Sequence, residues 1–176
     1  MRIAILYASD EGQTEKIAHY IGAGLRRDGH EVTLTTIKDL SPDFQLGDFN
    51  KVLIGASIHM SNHQRYVVKW VSENLNALQH VPNAFFSVSM AASDMTVAGQ
   101  SEVQGYLKSF VKQTGWIPDH VAPFAGALKF NRYGFFKRLL MLQLVRIKRL
   151  DIDTSRDTEF TDWRKVDEFI TSQSMI

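Results

Sequence analysis

Residues Met1 to Thr14 read MRIAILYASDEGQT. The run Ile3-Ala4-Ile5-Leu6-Tyr7-Ala8 is apolar without alternation, the pattern of a strand covered on both faces. It breaks into the polar turn Ser9-Asp10-Glu11-Gly12-Gln13-Thr14. Ile17, Ile21 and Leu25 then recur at helical spacing, and Gly29 stops the helix. A strand feeding a hydroxyl- and glycine-bearing turn that opens a helix is a phosphate-binding device. The unpaired N–H groups of the first helical turn and the positive end of the helix dipole both favour an anion there.

The turn itself narrows the anion. It lacks the Gly-x-Gly-x-x-Gly of a dinucleotide site and the Gly-Lys-Thr of a P-loop, so a nucleoside triphosphate is not expected. Ser9 and Thr14 supply hydroxyls and the turn supplies amides, with no cation, which suits a monophosphate. Asp10 and Glu11 would repel it, so their carboxylates are expected to face solvent while their N–H groups face the ligand. Taken alone, the same residues would also serve a plain turn with no ligand.

Outward from this turn, strands and helices alternate. Val32 to Ile37 alternates like a half-buried strand, Lys51 to Ala56 is a continuous apolar strand, and Tyr66, Val67, Trp70, Val71, Leu75 and Leu78 make one helical stripe. Asn83 to Ser89 is the fourth strand, Met90 to about Gln100 a long polar loop, and Val103 to Val111 a helix. His120 to Leu128 reads as the fifth strand, and Thr161 or Asp162 caps a last helix through Val166, Phe169 and Ile170. The whole chain, 1–176, is expected to be a single α/β domain with a five-stranded parallel sheet covered on both faces. Pro123 cannot donate to a ladder, which places the fifth strand at an edge. The order 2-1-3-4-5 puts it there, with the alternating second strand at the other edge. Ligands then gather at three polar interruptions: Ser9–Thr14, Ser57–His63 and Ser89–Gln100.

Composition closes other routes. The chain has no cysteine, which removes disulfides, thiolate metal sites and a thiol nucleophile. Its net charge of +1 is unevenly placed. Lys129, Arg132, Lys137, Arg138, Arg146, Lys148 and Arg149 fall in a stretch without Asp or Glu, and the remainder is net acidic. Residues 133–150 (YGFFKRLLMLQLVRIKRL) place most of their apolar side chains on one arc of a helix, with Lys137, Arg138, Lys148 and Arg149 opposite. Such a helix can lie on a membrane surface, its cations drawn to anionic headgroups; packing on the domain or on a second subunit is the alternative. No nucleic-acid partner is expected, and self-association stays open.

Ser9, Gly12 and Thr14 match the Thr/Ser-x-Thr-Gly-x-Thr turn of flavodoxins, and the chain resembles that family. The resemblance implies a flavodoxin-like three-layer sandwich with FMN on Ser9, Asp10, Glu11, Gly12, Gln13 and Thr14. It also implies that the flavin ring is bordered by Ala56, Ser57 and Ile58 and by Val88 and Ser89. The ring loops depart from flavodoxins in offering Ile58, His59, Met60 and Met90 rather than stacking aromatics, with Tyr66 nearest.

Further segments sharpen the likeness: Ile-Gly-Ala-Ser-Ile at 54–58, Ala-Phe-Phe-Ser-Val at 84–88, Ala-Gly-Ala-Leu at 125–128, Phe-Thr-Asp-Trp at 160–163, and the basic helical insert at about 129–158 between the fifth strand and the last helix. Together they resemble the flavodoxin-like, quinone-dependent protoporphyrinogen IX dehydrogenases of bacterial haem synthesis. That resemblance implies oxidation of protoporphyrinogen IX with electrons passed to menaquinone or ubiquinone, and a peripheral location on the cytoplasmic face of the inner membrane. The insert's cations would also attract the porphyrinogen propionates.

No catalytic acid or base is singled out, and no metal site is expected. His59 and His63 are read as solvated loop histidines beside the ring, with cofactor contact as the alternative. Trp70, Trp116 and Trp163 are read as core or cap-packing residues. Ser57 lacks the Gly-x-Ser-x-Gly of a hydrolase elbow.

Overall fold

A computed structural model of the chain describes residues 1–128 and 157–175. The sheet runs β2 (Glu31–Thr36), β1 (Arg2–Ala8), β3 (Lys51–His59), β5 (Asn83–Ser89), β6 (His120–Ala125), all parallel. This is the 2-1-3-4-5 order expected, with Pro123 on the edge strand, where its missing N–H interrupts nothing.

Side-chain alternation divides the core between two faces. Ile3, Ile5 and Tyr7 of β1 pack under α1 (Gln13–Arg27) and the last helix, α5 (Trp163–Ser174). Ala4, Leu6 and Ala8 face the other side, with α2 (Arg65–Glu73), α3 (Leu75–Leu78) and α4 (Val97–Thr114). Trp116 is fully buried on that second face. Trp163 packs on Tyr20 at the start of α5, where Asp162 accepts from Arg164 N as the cap.

Four local expectations change. The stripe from Tyr66 to Leu78 is two helices, because the Asn74 side chain donates to Trp70 O and ends α2. The third loop is shorter than expected: Ala91–Ser93 is a 3-10 turn, and Thr96 caps α4 from Val97. The fifth strand breaks at Gly126, and Ala127–Leu128 leaves the sheet as β7 to pair antiparallel with β8, Thr158–Glu159. The second loop contains β4 (Asn62–His63), which folds back on the end of β3. The expectations for 133–150, and for most of the insert, lie outside the described residues.

Candidate functional site

The first turn crosses the carboxyl end of β1 into α1. Gly12 takes a φ of 84°, a left-handed geometry that a side chain would strain, and its N–H donates to Ser9 Oγ at 2.9 Å. Ser9 and Gly12 therefore brace each other, so the Gly12 amide is engaged within the turn. Among the described residues no side chain caps α1. Thr14 is buried in the first helical turn, and its hydroxyl oxygen has no hydrogen-bond partner among the described residues. An uncapped helix start beside a buried, unsatisfied hydroxyl is what an anion would complete.

The two acids do not simply face solvent. Asp10 is exposed, but its Oδ2 accepts from Gln64 Nε2 at 3.3 Å; Glu11 is half-buried. Gln64 Nε2 also donates to Ser57 Oγ at 2.6 Å, joining the first turn to the end of β3. Tyr66, the second residue of α2, has its hydroxyl pKa pushed up to about 12 by burial and then by the Asp10 carboxylate.

In the second loop, β3 continues to His59 and turns back through Met60 and Ser61, with φ of 48° and 66°. Two successive left-handed residues make the tight hairpin turn that suits the twist of the strands, here without the usual glycine or asparagine. Tyr106 of α4 holds the hairpin tip: its hydroxyl donates to Glu102 and contacts Ser61. Ala56 is buried, and Ser57 and Ile58 are half-buried at the hairpin base.

His63 is not the solvated residue expected. It pairs with Ile58 across the hairpin and packs at a tilt against the stacked rings of Phe85 and Phe110, and its Nε2 lies 2.9 Å from Ser87 Oγ. Burial lowers its pKa to about 4, so the imidazole is neutral. His59 remains exposed.

In the third loop Val88 and Ser89 are buried at the end of β5. Ser89 Oγ accepts from Ala92 N, and Ser89 O accepts from Gly126 N. Met60 and Met95 stand exposed on the second and third loops.

Gln13, expected at the phosphate, turns its amide the other way. Its Nε2 donates to Thr161 Oγ1 at 2.9 Å, and Thr161 donates to Ala125 O at 2.7 Å. Lys16 meets Glu159 at 2.5 Å and lies over the Trp163 ring, whose Nε1 donates to the same carboxylate. Burial alone would raise the Glu159 pKa; the hydrogen bonds from Lys16, Trp163 and Gln13 hold it below the usual range. The β7–β8 ribbon, from which residues 129–156 depart, is thus bolted to the first turn.

The sequence reading missed Gln64, and it read Thr161 only as a candidate cap for the last helix. Both are polar and join segments far apart in the chain, so no local periodicity marks them.

Comparison with known proteins bears on the same elements. A flavodoxin-domain family model matches residues 4–155. The chain belongs to the flavodoxin-domain family. It is 27% identical over 169 residues to a protoporphyrinogen IX dehydrogenase [quinone] of Escherichia coli strain K12, covering 96% of this chain and 92% of that protein. It is 31% identical over 166 residues to a protein of the same name from Leishmania major, covering 94% of this chain and 71% of that one. It is therefore homologous to these quinone-dependent dehydrogenases over most of its length. Among solved structures, rubredoxin oxygen:oxidoreductase of Desulfovibrio gigas superposes with a TM-score of 0.51 at 19% identity, over 71% of this chain and 30% of that one. That likeness concerns the fold alone. A flavodoxin domain implies a flavin, and the uncapped α1 with its unsatisfied Thr14 hydroxyl fits the phosphate end of one.

Proposed function

We propose that this chain is an FMN enzyme that oxidises protoporphyrinogen IX to protoporphyrin IX and passes the electrons to menaquinone or ubiquinone. The observation that carries this reading is homology along nearly the whole chain to dehydrogenases of that name, including the stretch between β7 and β8. Each round removes two electrons and two protons from the porphyrinogen and reduces one quinone to the quinol. Bound FMN supplies the two-electron chemistry.

The chain's own residues bind and orient. The Thr14 hydroxyl and the first-turn amides of α1 hold the phosphate, while Ser9 and Gly12 fix the turn that presents them. Ala56, Ser57 and Ile58 border the ring on one side and Val88 and Ser89 on the other, both sets on strand ends rather than free loops. Asp10, Glu11 and Gln13 shape the turn and tie it to its neighbours rather than holding the anion with their side chains. The basic stretch 133–150 rests on anionic lipid, placing the chain peripherally on the cytoplasmic face of the inner membrane, where the quinone is dissolved. Leu128 and Thr158, on either side of that stretch in the sequence, pair with each other near the first turn, at the same end of the sheet as the site.

Anaerobic titration tests the reading. The purified chain should show a flavin spectrum that protoporphyrinogen IX bleaches and a quinone restores. Bleaching by a protein reductant but not by the porphyrinogen would make it a membrane-associated FMN electron-transfer module instead.

A further inference from the structure

A cavity of about 240 Å³ opens between the third loop, the end of β6 and the start of α5, on the side of β5 away from β3. Met95, Pro123, Phe124, Ala125 and Phe160 form its apolar wall, and Asp162 and Lys165 are the charged residues that line it. No residue placed at the phosphate or the ring lines it. Yet its wall adjoins the ring border, because Phe124 and Ala125 are the register partners of Val88 and Ser89. Paired strands lie about 4.8 Å apart.

The lining limits what fits. A dry cavity of roughly 150 Å³ holds one benzene ring. This one has room for one ring or two fused rings, and a tetrapyrrole is too large to enter it whole. Pro123 has no N–H, so the open edge of β6 presents no unpaired donor at that point. Asp162 Oδ1 accepts from Arg164 N as the cap of α5, which leaves Oδ2 unengaged among the described residues. Lys165 has neither hydrogen bond nor ion pair among the described residues. A cation in the first turn of a helix also opposes the helix dipole, so the fold gains nothing from its charge. A carboxylate ligand would be drawn by Lys165 and repelled by Asp162. A neutral flat ring whose oxygens accept hydrogen bonds in one state and donate them in the other uses both residues.

We propose, resting on the enzyme reading above, that this cavity binds the head of the quinone, with Lys165 donating to a carbonyl oxygen and Asp162 accepting from the hydroxyl of the quinol. Reduction adds two electrons and two protons, one proton to each carbonyl oxygen, matching those that the porphyrinogen loses in the same round. The porphyrinogen is thereby kept apart from the quinone, on the other side of the third loop.

The test uses the FMN-loaded chain with isotope-labelled methionine methyl groups, and menadione, a naphthoquinone without a lipid tail. In NMR titration the Met95 methyl should shift while that of Met60, on the second loop, stays in place. Lys165→Met should weaken menadione binding roughly tenfold and raise its KM with kcat unchanged, and Lys165→Arg should restore both. Naphthoate, with the same two rings and a carboxylate, should bind more weakly than menadione because Asp162 repels it. Equally tight binding of naphthoate would overturn the quinone assignment, as would an unchanged menadione affinity in Lys165→Met. Movement of Met60 together with Met95 would put menadione over the ring loops and overturn it too. A chain that takes up FMN, as its spectrum reads, but whose Met95 methyl never moves overturns the cavity site and leaves the flavin reading intact. A chain that takes up no FMN overturns both.

Discussion

Thr14 and His63 are both buried polar residues, and they differ in what satisfies them. The Thr14 hydroxyl has no partner among the described residues at the start of an uncapped helix, and the proposed phosphate would supply one. A hydrogen bond to a charged group contributes about 1.5–3 kcal/mol. Thr14→Val should therefore weaken FMN binding roughly 10- to 100-fold and leave riboflavin, which has no phosphate, nearly unchanged. Fluorescence titration with the two ligands reads the difference, and an equal loss of both would remove Thr14 from the phosphate site. His63 already has its partner in Ser87 and is neutral in the fold. Its pKa falls to about 4 from an unfolded value of 6.5, so the unfolded chain takes the proton first as pH drops. Its contribution is fully present above pH 6.5 and is lost as pH falls toward about 4, on the order of 3 kcal/mol in all. Urea midpoints measured across that window should climb with pH, and His63→Leu should flatten the climb.

The ribbon β7–β8 is the element that joins the first turn to the rest of its end of the domain. Thr161 accepts from Gln13 and donates to Ala125, so Thr161→Val removes both bonds. The expected loss is about 1–3 kcal/mol of stability, with weaker FMN binding because the turn loosens. Lys16→Met removes an ion pair whose lysine side chain is 55% exposed, and should cost less than about 1 kcal/mol. Chemical denaturation of the two variants separates buried satisfaction from surface charge. The ribbon also marks how far the sequence could be read. The unbroken apolar runs of β1, β3 and β5 and the proline in β6 announced a parallel sheet and its edge, because burial on two faces and a missing N–H leave local marks. The hairpin at Met60–Ser61 left none: neither residue is an ordinary left-handed turn former, and the tip is held by Tyr106 from another helix. The first turn was legible as a strand-to-helix turn from its hydroxyls and glycine. The use of Gln13 toward Thr161 and of Asp10 toward Gln64 was not, since each depends on a partner brought close only by the fold.

Charge and attachment give the whole molecule a direction. Residues 129–150 carry seven Lys or Arg and no Asp or Glu, and the remainder of the chain is net acidic. The described chain leaves for this stretch at Leu128 and is back in register at Thr158, opposite each other in the ribbon bolted to the first turn. Attraction to an anionic surface at that point would bring the site's end of the sheet toward lipid, where a quinone can be reached without a long passage through water. Each Lys or Arg near such a surface contributes about 1 kcal/mol, and the attraction fades beyond a Debye length. Replacing Lys137, Arg138, Lys148 and Arg149 by Ser should therefore weaken binding to phosphatidylserine-containing vesicles by roughly a hundredfold or more. FMN should stay bound, because none of the four belongs to the first turn or the ring loops. Vesicle sedimentation with and without added salt measures the first part, and the flavin spectrum of the pellet and supernatant measures the second. Unchanged, salt-insensitive sedimentation would mean that these cations do not face lipid, and the apolar residues between them would then have to be covered by the domain itself or by a second copy of the chain.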